Sequence, residues 1–213
     1  MIDIIPGINE TTMEDVAFRV SQVERLATWV QIDIANGTFV PQDTHFDHEK
    51  MKMIIAAYPD LSFEAHIMVF RPEKMIRELV DAGFKRLIAH VECDDPRLFL
   101  EECKGESVEV ALAIDGATEV EAIEPFLEEL DMILVMTIEA GPSGQPFLPE
   151  TVEKIKILSQ NAVSIPIEVD GGMTPMTAKI VADAGAHLVV STSYIFKHVG
   201  GAAAAISELK NVS

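Results

Sequence analysis

The sequence predicts a (β/α)8 barrel. Short β-branched or apolar runs alternate with helical patterns along the whole chain. Its 213 residues fit eight such pairs in one domain, residues 1–213. Polar residues gather where each strand pattern ends, and that rim is where a barrel carries its chemistry.

The strands are expected at Ile2–Ile5, Trp29–Ile34, Ser62–Met68, Arg86–Val91, Val108–Ala113, Met132–Thr137, Ile165–Val169 and Leu188–Ser191. Helices are expected at Glu14–Leu26, Asp47–Ala57, Pro72–Ala82, Pro96–Cys103, Val120–Glu128, Pro149–Ser159, Pro175–Ala184 and Gly201–Leu209. Pro72, Pro96, Pro149 and Pro175 suit first-turn positions, where a missing N–H leaves nothing unpaired. Gly83 and Gly185 suit left-handed caps at helix ends. An open doubly wound sheet is the competing architecture. It wants a glycine-rich turn after the first strand, and Pro6-Gly7-Ile8-Asn9 is a poor dinucleotide fingerprint.

Hydrophobic residues make up 48%, enough for a large core, yet no apolar run is long enough to span a bilayer. The start, MIDIIPGINETTMEDV, lacks the basic and apolar regions of a secretion signal. Cys93 and Cys103 are too few for a disulfide framework and read as reduced thiols in a cytoplasmic protein. A formal charge of −19 argues against nucleic acid and anionic membranes as partners. A phosphate ligand would have to be held by backbone N–H groups rather than by a basic patch.

Candidate chemistry follows from the strand ends. In VQIDIANGTFVP, Gln31 and Asp33 are two apart on one strand and share a face, which points into the barrel. His66 lies near the end of strand three in FEAHIMVF, and Asp170 ends strand seven in IPIEVDGGM. Two carboxylates converging over the axis can act as acid and base on opposite faces of one carbon. A histidine between them can bind a metal or carry a proton. His90, His45 and His48 read as solvent-facing or supporting residues. Glycine-bearing loops after strands six and seven, AGPSGQPF (140–147) and DGGM (170–173), and STS (191–193) after strand eight form a backbone cradle for a phosphate.

With these residues placed, the chain resembles the ribulose-phosphate 3-epimerase family over nearly its whole length. IIPGIN, QIDIANGTFVP, EAHIMV, HVEC, VMTIEAGPSGQPF, IEVDGGM and AGAHLVVSTSYIF carry the resemblance. It implies that Asp33 and Asp170 exchange protons at C3 of a ketopentose phosphate, through an enediolate. It implies a divalent metal (zinc, manganese or magnesium) on Gln31, Asp33, His66 and Asp170. The substrate and its phosphate would lie against Gly7, Met68, Gly141, Ser143, Gly144, Gln145, Gly171, Gly172, Thr192 and Ser193. A homo-oligomer, dimer or hexamer, is implied as well.

The departures are specific. The family has histidine where this chain has Gln31, and serine where it has Gly7. It has methionine and aspartate where this chain has Ala35 and Asn36. Its sixth loop reads Asn-Pro-Gly-Phe-Gly-Gly-Gln against Glu139–Gln145 here, and its Gly-Ser is Thr192-Ser193 here. An amide is a poor zinc ligand beside an imidazole, but its oxygen can bind a hard cation. Two alternatives compete with the epimerase. One is a sugar-phosphate-binding barrel that has lost its metal and its turnover; it has no need of both aspartates. The other is a related decarboxylase or aldolase. It would need a strand-end lysine, and none of Lys85, Lys154, Lys156 or Lys179 stands at one.

Overall fold

Strands with apolar side chains on both faces must be covered on both faces, and a closed parallel barrel ringed by helices does this. The computed structural model describes residues 2–211 and has this form. Eight parallel strands close in sequence order, β1 beside β8. They are β1 (Asp3–Ile8), β2 (Trp29–Ala35), β3 (Ser62–Met68), β4 (Arg86–His90), β5 (Glu109–Ile114), β6 (Met132–Met136), β7 (Ile167–Asp170) and β8 (Leu188–Ser191). Around them lie α1 (Met13–Val23), α2 (His48–Ala57), α3 (Ile76–Ala82), α4 (Pro96–Cys103), α5 (Thr151–Asn161), α6 (Pro175–Ala184), the short α7 (Ser193–Phe196) and α8 (Gly201–Lys210).

Local signals act as their chemistry requires. Thr12, Asp47 and Asp95 accept backbone N–H groups at the starts of α1, α2 and α4. Thr174 and Thr177 form a reciprocal cap at α6, whose first residue is Pro175. Gly83 and Gly185 end α3 and α6 in the left-handed region, at φ 107° and 113°. The outer core joins strand residues such as Val30, Ile32, Leu87 and Val169 to helix residues such as Val20, Leu79, Phe99 and Leu158.

Five expectations need correction. The helix expected at Pro72–Ala82 divides into a 3-10 turn, Pro72–Lys74, and α3. β1 runs on through Pro6 and Gly7 to Ile8, because Gly7 pairs with Gln31 of β2 and Pro6 with Ser191 of β8. The helix expected at Val120–Glu128 is two 3-10 segments, Val120–Ala122 and Glu124–Glu129. Pro125 has no N–H for an α-helical bond, so the tighter turn prevails. Pro149 precedes α5 rather than opening it, and its carbonyl accepts the N–H of Val152 in the leading turn. Strand seven begins at Ile167, not Ile165, and includes Asp170.

One ionic cluster fills the lower barrel. Glu64 and Glu168 are fully buried, two residues below His66 and Asp170 on their strands. Arg86 reaches Glu64 at 2.5 Å, Glu109 at 2.6 Å and Glu168 at 3.7 Å. Its guanidinium lies 4.3 Å from the centre of the Trp29 ring. Burial pushes both glutamates up, Glu168 well above the usual carboxylate range, and the Arg86 charge only partly offsets this.

Candidate active site

β2, β3 and β7 bring four polar side chains together at the C-terminal rim. Asp33 and His66 are register partners on neighbouring strands, and Gln31 lies one pleat below Asp33. Asp170 comes from across the barrel. The Gln31 amide sits among them: its Nε2 donates to Asp33 Oδ1 and to Asp170 Oδ2, each at 2.8 Å. His66 Nδ1 is 3.2 Å from Asp33 Oδ1, 3.4 Å from Gln31 Nε2 and 3.7 Å from Asp170 Oδ2. All four residues are buried.

Charge in so small a space moves proton affinities. Burial and the neighbouring Asp33 charge push Asp170 up to about 7, although His66 and the Gln31 hydrogen bond act the other way. Burial pulls His66 down, but the hydrogen bond and charge of Asp33, with Asp170 and Glu64, outweigh it and leave it raised. Asp170 so placed keeps its proton up to about pH 7.

Asp33, His66 and Asp170 also offer ligand atoms that all lie within 4.8 Å of one another. Gln31 Oε1 is buried without a hydrogen-bond partner. Turning the amide about its last bond would present that oxygen where the nitrogen now lies. The donor set thus fits a divalent cation: two carboxylates, an imidazole nitrogen and an amide oxygen.

Beside this cluster, Ser143, Gly144, Gly171, Gly172, Thr192 and Ser193 line one small cavity that reaches Asp170. Gly171 and Gly172 have φ of 118° and 67°. A Cβ on Gly172 would lie 2.8 Å from the Phe147 backbone, so the loop closes only around glycine. Thr137, the residue after β6, donates to the carbonyl of Gly171 at 2.6 Å and ties this loop to the barrel wall. Gly7 lies under Thr192, where an added Cβ would come within 2.5 Å of Thr192 Oγ1.

Gln145, Gly141 and Met68, also expected at the substrate, stand outside the lining of this small cavity. Gln145 turns back on its own loop and donates to the carbonyls of Glu139 and Pro142, both at 2.9 Å. Gly141 packs near Val40, and its carbonyl accepts from Asn9 at 3.3 Å. Met68 is buried with Ala35 and Val40 at the mouth.

Comparison with known proteins settles the family. The ribulose-phosphate 3-epimerase family model matches residues 3–196. The chain belongs to the ribulose-phosphate 3-epimerase family. It is 34% identical to the ribulose-phosphate 3-epimerase of Schizosaccharomyces pombe (strain 972), over 86% of this chain and 81% of the relative. With the ribulose-phosphate 3-epimerase of Bacillus subtilis (strain 168) it shares 30% identity over 92% of this chain and 93% of the relative. Among solved structures, 3-hexulose-6-phosphate synthase from Salmonella typhimurium aligns at a TM-score of 0.76 and 17% identity, covering 99% of this chain and 98% of the other. Orotidine 5'-phosphate decarboxylase from Pyrococcus horikoshii aligns at 0.73 and 14%, covering 98% of each. These structural likenesses show the barrel. The ribulose-phosphate 3-epimerase family consists of isomerases acting on a sugar phosphate, and the Asp33, His66 and Asp170 cluster is where this member can hold a metal. No helix among the described residues is long and apolar enough to cross a membrane.

Two residues at the end of β4 take supporting roles. His90 is fully buried, not solvent-facing, and stacks on His66 with ring centres 5.0 Å apart. Glu92 follows it, and the alternation His90-x-Glu92 is the available signal, the same spacing as Gln31-x-Asp33. His45 and His48 do lie at the surface, with His48 paired to Asp81. Lys154 is a third supporting residue. From α5 its ammonium reaches the loop after β5 and donates to the carbonyls of Asp115, Gly116 and Thr118.

Proposed function

We propose that this chain inverts C3 of D-ribulose 5-phosphate, or of a close relative, by proton transfer between Asp33 and Asp170. The observation that carries this is the approach of two carboxylates from β2 and β7 to one amide nitrogen, with Asp170 holding a proton to about pH 7. The ionised Asp33 takes the C3 proton. The C3–H electron pair moves into a C2–C3 double bond, and the C2 oxygen takes the negative charge. Asp170 returns its own proton to the opposite face of C3, and the charge flows back to reform the C2 carbonyl. Each turnover leaves the proton on Asp33 instead of Asp170, ready for the reverse direction or for reset from water.

Backbone N–H groups of Gly144, Gly171, Gly172, Thr192 and Ser193 would take the phosphate, which suits an acidic chain. Asp33, His66, Asp170 and the turned Gln31 amide would hold the cation, with magnesium or manganese better matched than zinc to the amide oxygen. When bound, it supplies positive charge to the substrate oxygens that become negative.

The test is deuterium exchange at C3 of D-ribulose 5-phosphate, followed by NMR in heavy water. Wild type and Asp170→Asn would be compared after metal stripping and after adding zinc, manganese or magnesium. Exchange in wild type that vanishes in Asp170→Asn is the expected result. Absence of exchange with every metal overturns the assignment to this substrate. If the sugar phosphate still bound, the chain would be a binding protein.

A further inference from the structure

A line of hydrogen-bonding side chains leads from the candidate catalytic pair to the barrel edge. Asp33 Oδ1 is 3.2 Å from His66 Nδ1. His66 Nε2 is 2.8 Å from His90 Nε2, and His90 Nδ1 is 3.3 Å from Glu92 Oε2. Glu92 Oε1 accepts the backbone N–H of Asp115 at 2.8 Å. Both rings are fully enclosed, while the Glu92 side chain keeps 24% exposure.

The contact between the two rings needs one proton, so one nitrogen donates and the other accepts. The outer end sets the direction. An ionised carboxylate only accepts, so Glu92 requires a proton on His90 Nδ1. The His90 ring is fully enclosed, where a charge is costly, so with its proton on Nδ1 its Nε2 is bare. His66 must then donate from Nε2. A neutral His66 consequently turns a bare Nδ1 toward Asp33, Asp170 and the Gln31 amide.

We infer that Glu92, acting through His90, is a positioning residue that fixes His66 in the tautomer whose Nδ1 lone pair faces the catalytic carboxylates. That lone pair is what a cation requires. The catalytic meaning rests on the epimerase reading above; the tautomer itself does not, since it exists without substrate. Lys154 supports the arrangement by fixing the Asp115 loop that holds Glu92.

The substitution Glu92→Gln distinguishes this role from simple packing. The Asp115 N–H claims an acceptor, so the glutamine oxygen stays there and its NH2 group lands on His90 Nδ1. The shape is kept and the line reverses: His90 gains Nε2–H, and His66 turns Nδ1–H toward Asp33.

The experiment is two-bond proton–nitrogen NMR on the full chain with 15N-labelled histidine, above pH 8, after chelator treatment and with magnesium added. Wild type should carry the proton on His66 Nε2 and on His90 Nδ1. Glu92→Gln should exchange both, and weaken manganese binding by about 10- to 100-fold. A wild-type His90 protonated on Nε2 overturns the proposal. So does a folded Glu92→Gln variant whose rings are unchanged. Should that variant not fold, the wild-type spectrum decides alone. Absence of C3 exchange in the wild type, with the tautomers as stated, would instead overturn the epimerase reading.

Discussion

Gln31 and Asp170 stand 139 positions apart in the chain, and the amide of one donates to the carboxylate of the other at 2.8 Å. The same nitrogen holds Asp33 at 2.8 Å, so a neutral group links two acids. An imidazole here would bring a second nitrogen to the metal cluster. Gln31→His should therefore raise zinc affinity on the order of a hundredfold, and magnesium affinity much less. Competition against a chelating dye reads both. Equal changes for the two ions would show that Gln31 is not a ligand.

The metal-free chain should lose stability as pH rises from about 4 to about 7. Asp170 binds its proton at about 7 in the folded state against 3.8 in the unfolded chain, so its contribution is present at low pH and lost as pH rises through 7. His66, Glu64 and Glu168 are also raised and act in the same direction. Glu92, held at about 2 by bonds from His90, Thr118 and Asp115 that outweigh its burial, acts only in acid. His90 is lowered and acts oppositely below its unfolded value of 6.5, one group against the three raised carboxyls. Melting temperature after chelator treatment checks the fall. Added cation should flatten it, because the ion replaces the proton between the carboxylates.

Gly7 and Thr192 are two departures from the family pattern that fit each other. A side chain at position 7 would meet Thr192 Oγ1 at 2.5 Å and Val190 Cγ1 at 2.7 Å. Gly7→Ser alone should cost about 1–3 kcal/mol through overpacking. Adding Thr192→Gly should recover part of it, giving a coupling of about 0.5–3 kcal/mol in a double-mutant cycle read by urea unfolding. Additive effects would mean that the two positions are independent.

What the sequence revealed depended on how local the signal was. Gln31-x-Asp33 and Asp170-Gly171-Gly172 announce themselves by period and punctuation within one strand, so the site's centre was legible. The apolar run of the first strand stops at Ile5, and the strand continues through Pro6 and Gly7 because both neighbours offer parallel partners. The 3-10 segments after β5 carry helical periodicity, but Pro125 decides their geometry. His90 gave no local sign of its role, since His66, 24 positions away, is what makes it matter. Lys154 was excluded by the position of its backbone, although its long side chain spans the gap.

Asp170 is followed at once by Gly171 and Gly172, with no residue between the proposed proton carrier and the cavity proposed to seat the phosphate. Thr137 fastens the same turn to β6, so the two cannot drift apart. Such a strand end works as a ruler of fixed length. A sugar is then sorted by how many bonds separate its phosphorus from the carbon that gives up hydrogen. One carbon more or fewer would leave the phosphate seated and the proton out of reach.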